Sequence, residues 1–151
     1  MLQSCYNRLT WLGYLVPGWN TGPVDRNIVN FSSWTIFFSH PRDFTPVCTT
    51  ELARLIQLSP EFQKRHVKLI GLSCDSAQSH REWADDIIAY CKILGGAGHK
   101  CCSENKLPFP IIADEDRSLA TKLGMLDPEE RDDKGALTAR AVSLQRFLFY
   151  V

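Results

Sequence analysis

The stretch that most constrains the fold is the join between a short apolar run, Trp34-Thr35-Ile36-Phe37-Phe38-Ser39, and a long helical pattern opening at Thr45. The run is β-branched and aromatic without polar alternation, the mark of a strand buried on both faces. Thr45 suits an N-cap and Pro46 the first helical position, because a capping hydroxyl and a ring-fixed φ belong where backbone N–H groups lack partners. Leu52, Leu55, Ile56 and Phe62 then mark one face, with Glu51, Arg54, Gln57, Glu61 and Lys64 mostly outside it. Pro60 is expected to kink or break this helix. Val67-Lys68-Leu69-Ile70-Gly71-Leu72-Ser73 reads as a second strand. Strand, helix and strand at this spacing make a right-handed βαβ crossover with parallel strands. The loop before Thr45 therefore lies at a strand's carboxyl end, where open α/β sheets bind ligands.

Cys48 falls in the first turn of that helix. The positive end of a helix favours a thiolate over a thiol by about 0.3 to 1 kcal/mol, and a neighbouring guanidinium adds to this. Arg42 is near in sequence, and Arg140 is a candidate to be near in space. The thiolate is the nucleophilic form, so a first-turn cysteine beside a polar loop is a candidate reactive centre. The competing reading is a buried cysteine that only packs. Thr45 and Pro46 immediately before it favour the reactive one.

Further along, Ser79-His80-Arg81-Glu82 has the form of a capping box, and Trp83, Ile87, Tyr90, Cys91 and Leu94 continue a helical stripe to Gly95-Gly96. Residues 95–105 read as a polar loop, 110–113 as a third strand, 119–123 as a short helix closed by Gly124, 127–135 as a charged surface loop and 138–142 as another strand. Residues 1–30 show no sustained period and are punctuated by Pro17, Gly18, Gly22 and Pro23, so irregular structure is expected there. The organisation is thus an irregular segment over 1–30, an α/β domain over 31–142 and a short apolar tail over 143–151.

A chain of 151 residues can bury one core. Seventeen basic and seventeen acidic residues cancel, which gives no long-range field for nucleic acid or an anionic membrane and points to a small-molecule partner. The six cysteines, at 5, 48, 74, 91, 101 and 102, are unevenly spaced and include an adjacent pair, unlike a secreted disulfide framework, so a reducing, cytoplasmic setting is expected. The apolar patch from Leu9 to Val16 is interrupted by Thr10 and Gly13 and lacks a cleavage site, which argues against a signal peptide. No apolar stretch approaches the ~20 residues needed to span a bilayer.

Pro41-x-x-x-Thr45-x-x-Cys48 matches the peroxiredoxin active-site signature, and the string from Ser39 to Leu52 resembles the one-cysteine, peroxiredoxin-6 type branch. Val67 to Ser73, Leu107 to Asp114, Gly124 to Pro128 and Thr138-Ala139-Arg140 extend the resemblance over residues 34–142, with an insertion or replacement at 91–105. The resemblance implies a thioredoxin-like α/β fold with a mixed sheet flanked by helices, incomplete here at both ends. It implies Cys48 as the peroxidatic cysteine, Thr45 as its hydrogen-bond partner and the peroxide's, Pro41 as a shield and Arg140 as the group that stabilises the thiolate and orients the peroxide. His40 is a candidate general base or a hydrogen-bonded structural residue, and Glu51 an anchor for the arginines or an exposed helical carboxylate. The implied chemistry is reduction of hydrogen peroxide and organic or lipid hydroperoxides through a sulfenic acid on Cys48. No prosthetic cofactor is implied; the reductant is an external thiol such as glutathione, with a glutathione transferase as helper. Cys91, Cys101 and Cys102 are alternative resolving thiols, though packing or loop roles suit them better, and Cys74 is expected in the core.

Other readings fare worse. Cys91, His99, Cys101 and Cys102 lack a C-x-x-C pair, so no metal is expected. The phospholipase serine motif of the peroxiredoxin-6 branch falls on Phe31-Ser32-Ser33-Trp34-Thr35, where both glycines are gone, and its histidine falls on Asn27. Cys48 and Arg54 have the spacing of cysteine phosphatases, but the residues between them hold no glycine and include Glu51. The rival to catalysis is an inert peroxiredoxin-like binding partner. The tail Phe147-Leu148-Phe149-Tyr150-Val151 can add at most one strand, apolar on both faces, so self-association, a homodimer included, is expected through it.

Overall fold

The computed structural model describes residues 34–95 and 106–146. These belong to the compact unit Phe31–Val151. The expectations for the 1–30 segment, for the loop at 96–105 with His99, Cys101 and Cys102, and for the tail at 147–151 lie outside the described residues.

The elements in chain order are β1 (Trp34–Ser39), α1 (Pro46–Lys64), β2 (Val67–Ser73), α2 (Ala77–Gly95), β3 (Ile111–Ala113), α3 (Ser118–Leu123), β4 (Leu126–Asp132), β5 (Gly135–Thr138) and β6 (Val142–Arg146). A mixed sheet has the order β3-β2-β1-β6, in which β1 and β2 are parallel, β2 and β3 are parallel, and β6 runs antiparallel to β1. This is the predicted βαβ unit extended at both sides.

Burial on both faces explains the unbroken apolar strands. Phe38 and Leu69 join Leu52, Ile56, Trp83, Ile87, Ile88, Cys91 and Phe109 on the side of α1 and α2. Phe37, Ile70 and Leu72 join Ile112, Leu119, Ala120 and Met125 on the side of α3. Each fully buried large side chain contributes roughly 1.5–3 kcal/mol. Gly71 pairs with Phe38 across the sheet, and a Cβ there would lie 3.1 Å from the Phe38 ring, so the glycine makes room for that aromatic. The ring in turn meets Phe109 edge-on at 5.5 Å.

Six expectations are corrected. α1 runs through Pro60 without a break. Proline removes the N–H that would bond the Ile56 carbonyl, but the Ser59 hydroxyl donates to that carbonyl at 2.8 Å instead. α2 begins two residues before the proposed capping box: the Ser79 N–H meets Ser76 Oγ at 3.2 Å, which leaves the Ser79 hydroxyl for another partner. Leu94, placed on the buried stripe, is exposed.

The charged stretch 127–135 is a hairpin rather than a loop, formed by β4 and β5 with an irregularity between Leu126 and Arg131 that accommodates Pro128. Arg117 fastens it, donating to the Ala136 carbonyl at 2.7 Å and to Asp132 at 2.9 Å. The strand expected over 138–142 is divided between β5 and β6, and residues 139–141 between them cross the end of β1. Cys74, expected in the core, is half-buried just beyond β2.

Candidate active site

The site forms where β1 and β2 end. His40 prolongs β1, its N–H donating to the Leu72 carbonyl at 3.1 Å. The crossing segment is stitched to this end: the Ser39 N–H donates to the Ala141 carbonyl at 2.9 Å, the Ser39 hydroxyl to the Ala139 carbonyl at 2.6 Å, and the Thr138 hydroxyl to the His40 carbonyl at 2.6 Å. These bonds carry Arg140 to the first turn of α1. Its Nη1 lies 3.8 Å from Cys48 Sγ and also bonds Glu51 Oε2. Burial works against the Arg140 charge, but the Glu51 hydrogen bond and the neighbouring Cys48 and Glu51 charges outweigh it and push the guanidinium's proton affinity up.

Cys48 is 1% exposed. It lies at the positive end of a 19-residue helix, beside a cation that donates toward sulfur. The arrangement suits a nucleophilic sulfur whose developing negative charge is met by fixed donors. Cys48, Arg140 and Glu51, scattered over 92 positions of sequence, are thus brought together.

Thr45 occupies the N-cap position with extended backbone (φ −87°, ψ 141°), but its side chain makes no capping bond. Its hydroxyl instead donates to the Arg42 carbonyl at 3.1 Å, and its own carbonyl accepts from the Thr49 N–H at 3.0 Å and hydroxyl at 2.8 Å. Pro46 supplies the fixed φ at the helix start, as expected. Pro41 is half-buried at the opening of the loop. Arg42 faces Asp132, its Nη2 lying 4.0 Å from Asp132 Oδ2.

His40 is 1% exposed, and its Nε2 bonds Asp43 Oδ1 at 2.8 Å. That bond belongs to a polar cluster the sequence reading missed. Asp43 Oδ2 also meets His80 Nδ1 at 2.7 Å and accepts from the Ser79 hydroxyl at 2.7 Å. The Asp43 N–H donates to Asp75 Oδ2 at 3.0 Å, and the Ser73 hydroxyl donates to the same oxygen at 2.9 Å. Burial would raise the Asp43 carboxyl, but hydrogen bonds from His40 and His80, the His80 charge and the Ser79 hydroxyl hold it well below the usual carboxylate range. The available signal was His80, three residues before Trp83 on the buried stripe of α2, where an imidazole needs a partner. Trp83 links the same parts, its indole N–H donating to Thr49 Oγ1 at 3.0 Å and its ring lying 4.9 Å from that of His40.

Among the described residues, His40, Asp43 and His80 are the group whose donor atoms cluster as metal ligands do. Here both carboxylate oxygens already accept hydrogen bonds from the protein. Cys91, weighed as a zinc ligand, packs fully buried in the core.

A model of the AhpC/TSA family matches residues 19–144. The chain belongs to the AhpC/TSA family. It is 75% identical over 111 residues to the 1-Cys peroxiredoxin of Dirofilaria immitis, covering 73% of this chain and 47% of that protein. To the Peroxiredoxin-6 of Homo sapiens it is 58% identical over 113 residues, covering 73% and 46%. A solved structure of a cysteine-to-serine variant of the Peroxiredoxin 6 of Arenicola marina superposes with a TM-score of 0.64 at 52% identity, over 74% of this chain and 47% of that one. A yeast mitochondrial 1-Cys peroxiredoxin, described for thiol resolution via glutathione and thioredoxin systems, does so with a TM-score of 0.60 at 40% identity, over 75% and 49%. The chain spans about half the length of these relatives. The resemblance to one-cysteine peroxiredoxins is therefore established, and with it the thioredoxin-like fold. Among the described residues no helix is long and apolar enough to cross a membrane.

Proposed function

We propose that this AhpC/TSA chain is a thiol peroxidase in which Cys48 is the peroxidatic residue. The observation that carries the reading is Arg140 Nη1 at 3.8 Å from the Sγ of Cys48, itself in the first turn of α1. The Cys48 thiolate attacks one oxygen of a hydroperoxide; an S–O bond forms, the O–O bond breaks, and the departing alkoxide or hydroxide takes a proton from water. Sulfur loses two electrons and the peroxide gains them, which leaves a sulfenic acid. Arg140 faces the charge that spreads from sulfur onto oxygen, and the Thr45 hydroxyl, which also has lone pairs to accept with, holds the peroxide in line. Glu51 fixes the guanidinium, and Pro41 shields the sulfur. His40 acts by holding the loop, since its Nε2 is engaged with Asp43.

An external thiol then condenses with the sulfenic acid to give a mixed disulfide and water, and a second thiol frees Cys48. Glutathione is the reductant of choice in this reading, with a glutathione transferase as helper and the cytoplasm as the setting. Cys91, buried among core side chains, is poorly placed to resolve. Phe44 and Val47, exposed on either side of Thr45 and Pro46, support organic hydroperoxides among the substrates. Self-association is part of the same proposal. Val142 and Leu144 are exposed on β6, which lies at the edge of the sheet among the described residues. Sedimentation of the parent against a Val142→Lys, Leu144→Lys double variant tests that part; equal sedimentation coefficients would refute it.

Peroxide consumption in the presence of glutathione tests the reaction. Cys48→Ser abolishes turnover, whereas Cys91→Ser, Cys101→Ser and Cys102→Ser retain it. Turnover by Cys48→Ser would overturn the mechanism.

A further inference from the structure

The loop between β1 and α1 contains a residue whose backbone is costly to hold. Phe44 has φ 56°, in the left-handed region, which a residue other than glycine adopts only at a cost in backbone strain. Its ring is 52% exposed and stands 6.4 Å from Trp83, so burial offsets little of that cost. The conformation nevertheless matters, because the next residue, Thr45, must enter α1 with extended backbone and Cys48 follows within one turn.

The restraint comes from the residue before it. Asp43 is 4% exposed, and its carboxylate is the common acceptor of His40, His80 and Ser79 at 2.7 to 2.8 Å. Its N–H is tied to Asp75 just beyond β2. One loop residue is thus anchored through side chain and main chain to two different elements. His40 Nδ1 and His80 Nε2 are buried without hydrogen-bond partners among the described residues. Each imidazole thus turns its other ring nitrogen to the Asp43 carboxylate. Hydrogen bonds to an ionised, buried carboxylate are about twice as strong as neutral ones, enough to offset the strain at Phe44.

We propose that Asp43 is a positioning residue for peroxide reduction: clamped by His40, His80 and Ser79, it holds the left-handed turn at Phe44 and thereby places the Thr45 hydroxyl and the turn bearing Cys48. This rests on the peroxidase reading of Cys48. Asp43 itself touches no reacting atom.

The test uses the full chain with Asp43→Asn, which keeps the shape but removes one acceptor oxygen, and with Ser79→Ala, which deletes one of the three donors. Two rates are measured at a temperature where circular dichroism shows each variant folded: oxidation of Cys48 by hydrogen peroxide, and alkylation of Cys48 by iodoacetamide. Alkylation needs a reactive thiolate but no aligned O–O bond. Asp43→Asn slows oxidation by about tenfold to a hundredfold, the cost of roughly 1 Å of misplacement, and alkylation by less than about threefold. Ser79→Ala shifts oxidation in the same direction by less. Equal losses in both reactions, or unchanged oxidation in a folded Asp43→Asn, would overturn the proposal. If Asp43→Asn does not fold, Ser79→Ala decides, and an unchanged oxidation rate there overturns it. A parent protein that peroxide does not oxidise removes the peroxidase reading itself, whereas a reactive parent with an equally reactive variant removes only the role of Asp43.

Discussion

Replacing Arg140 by alanine takes away the guanidinium that donates toward the Cys48 sulfur. At the observed 3.8 Å, unit charges attract by about 1 kcal/mol in water and about 4 kcal/mol in a medium of effective dielectric 20. The Arg140 side chain is 44% exposed and shares its charge with Glu51, so the lower figure applies to the resting thiolate. The larger loss falls in the transition state, where a fixed donor aimed at developing charge is worth about 2.7–4 kcal/mol, or a hundredfold to a thousandfold in rate. Arg140→Ala should therefore slow Cys48 oxidation by about 10²–10³, and Arg140→Lys should recover only the Coulombic part, because an ammonium cannot bond Glu51 and face the sulfur in one fixed fork. Stability should scarcely move, since an exposed pair such as Arg140 with Glu51 contributes about 0–1 kcal/mol. The assay is rapid mixing with hydrogen peroxide followed by quenching and titration of the remaining Cys48 thiol. An Arg140→Ala rate within a factor of about three of the parent, with an unchanged melt, would refute the donor role.

Further outcomes follow from the packing. Ser59→Ala leaves the Ile56 carbonyl without the donor that replaces the missing N–H of Pro60, which costs about 1–3 kcal/mol in chemical denaturation; in a Pro60→Ala background the same change costs markedly less, as a double-mutant cycle would register. Trp83→Phe removes the bond to Thr49 and part of a fully buried ring, lowering stability by about 1–3 kcal/mol and the melting temperature by several degrees. The Asp43 carboxyl is depressed in the folded protein, so its contribution is complete above its ordinary value of 3.8 and is lost as pH falls below it. Urea titrations between pH 7 and pH 2 should accordingly show a steeper acid loss in the parent than in Asp43→Asn, which is less stable at pH 7; parallel curves would contradict this.

The sheet was legible because burial on both faces leaves an unmistakable composition: Trp34 to Ser39 and Val67 to Ser73 read as strands and are strands, in parallel register. Thr45-Pro46 likewise marked the start of α1. What could not be read was set by partners distant in sequence. Thr45 has the composition of a capping residue, yet its hydroxyl meets Arg42. Ser79 looked like a cap, yet its hydroxyl is drawn to Asp43, thirty-six positions away. The charged stretch from Asp127 to Gly135 carries no apolar alternation because its hairpin is largely exposed and held by Arg117 rather than by a core. Cys48 came to notice through its first-turn position as well as the family signature, and Arg140 through the wider resemblance, while their 3.8 Å approach depends on Ser39 and Thr138 fastening the crossing segment, which no local pattern encodes. Asp43 lay inside that signature but drew no attention, since its importance arises only when His80 and Ser79 of α2 arrive beside it.

The most direct measurement is to add one equivalent of hydrogen peroxide to the reduced protein, trap sulfenic acid with dimedone and map the adduct by mass spectrometry. The account predicts stoichiometric labelling of the peptide bearing Cys48, with Cys74 and Cys91 left as thiols. Labelling spread over other cysteines, or a Cys48 that stays reduced while peroxide persists, would contradict it.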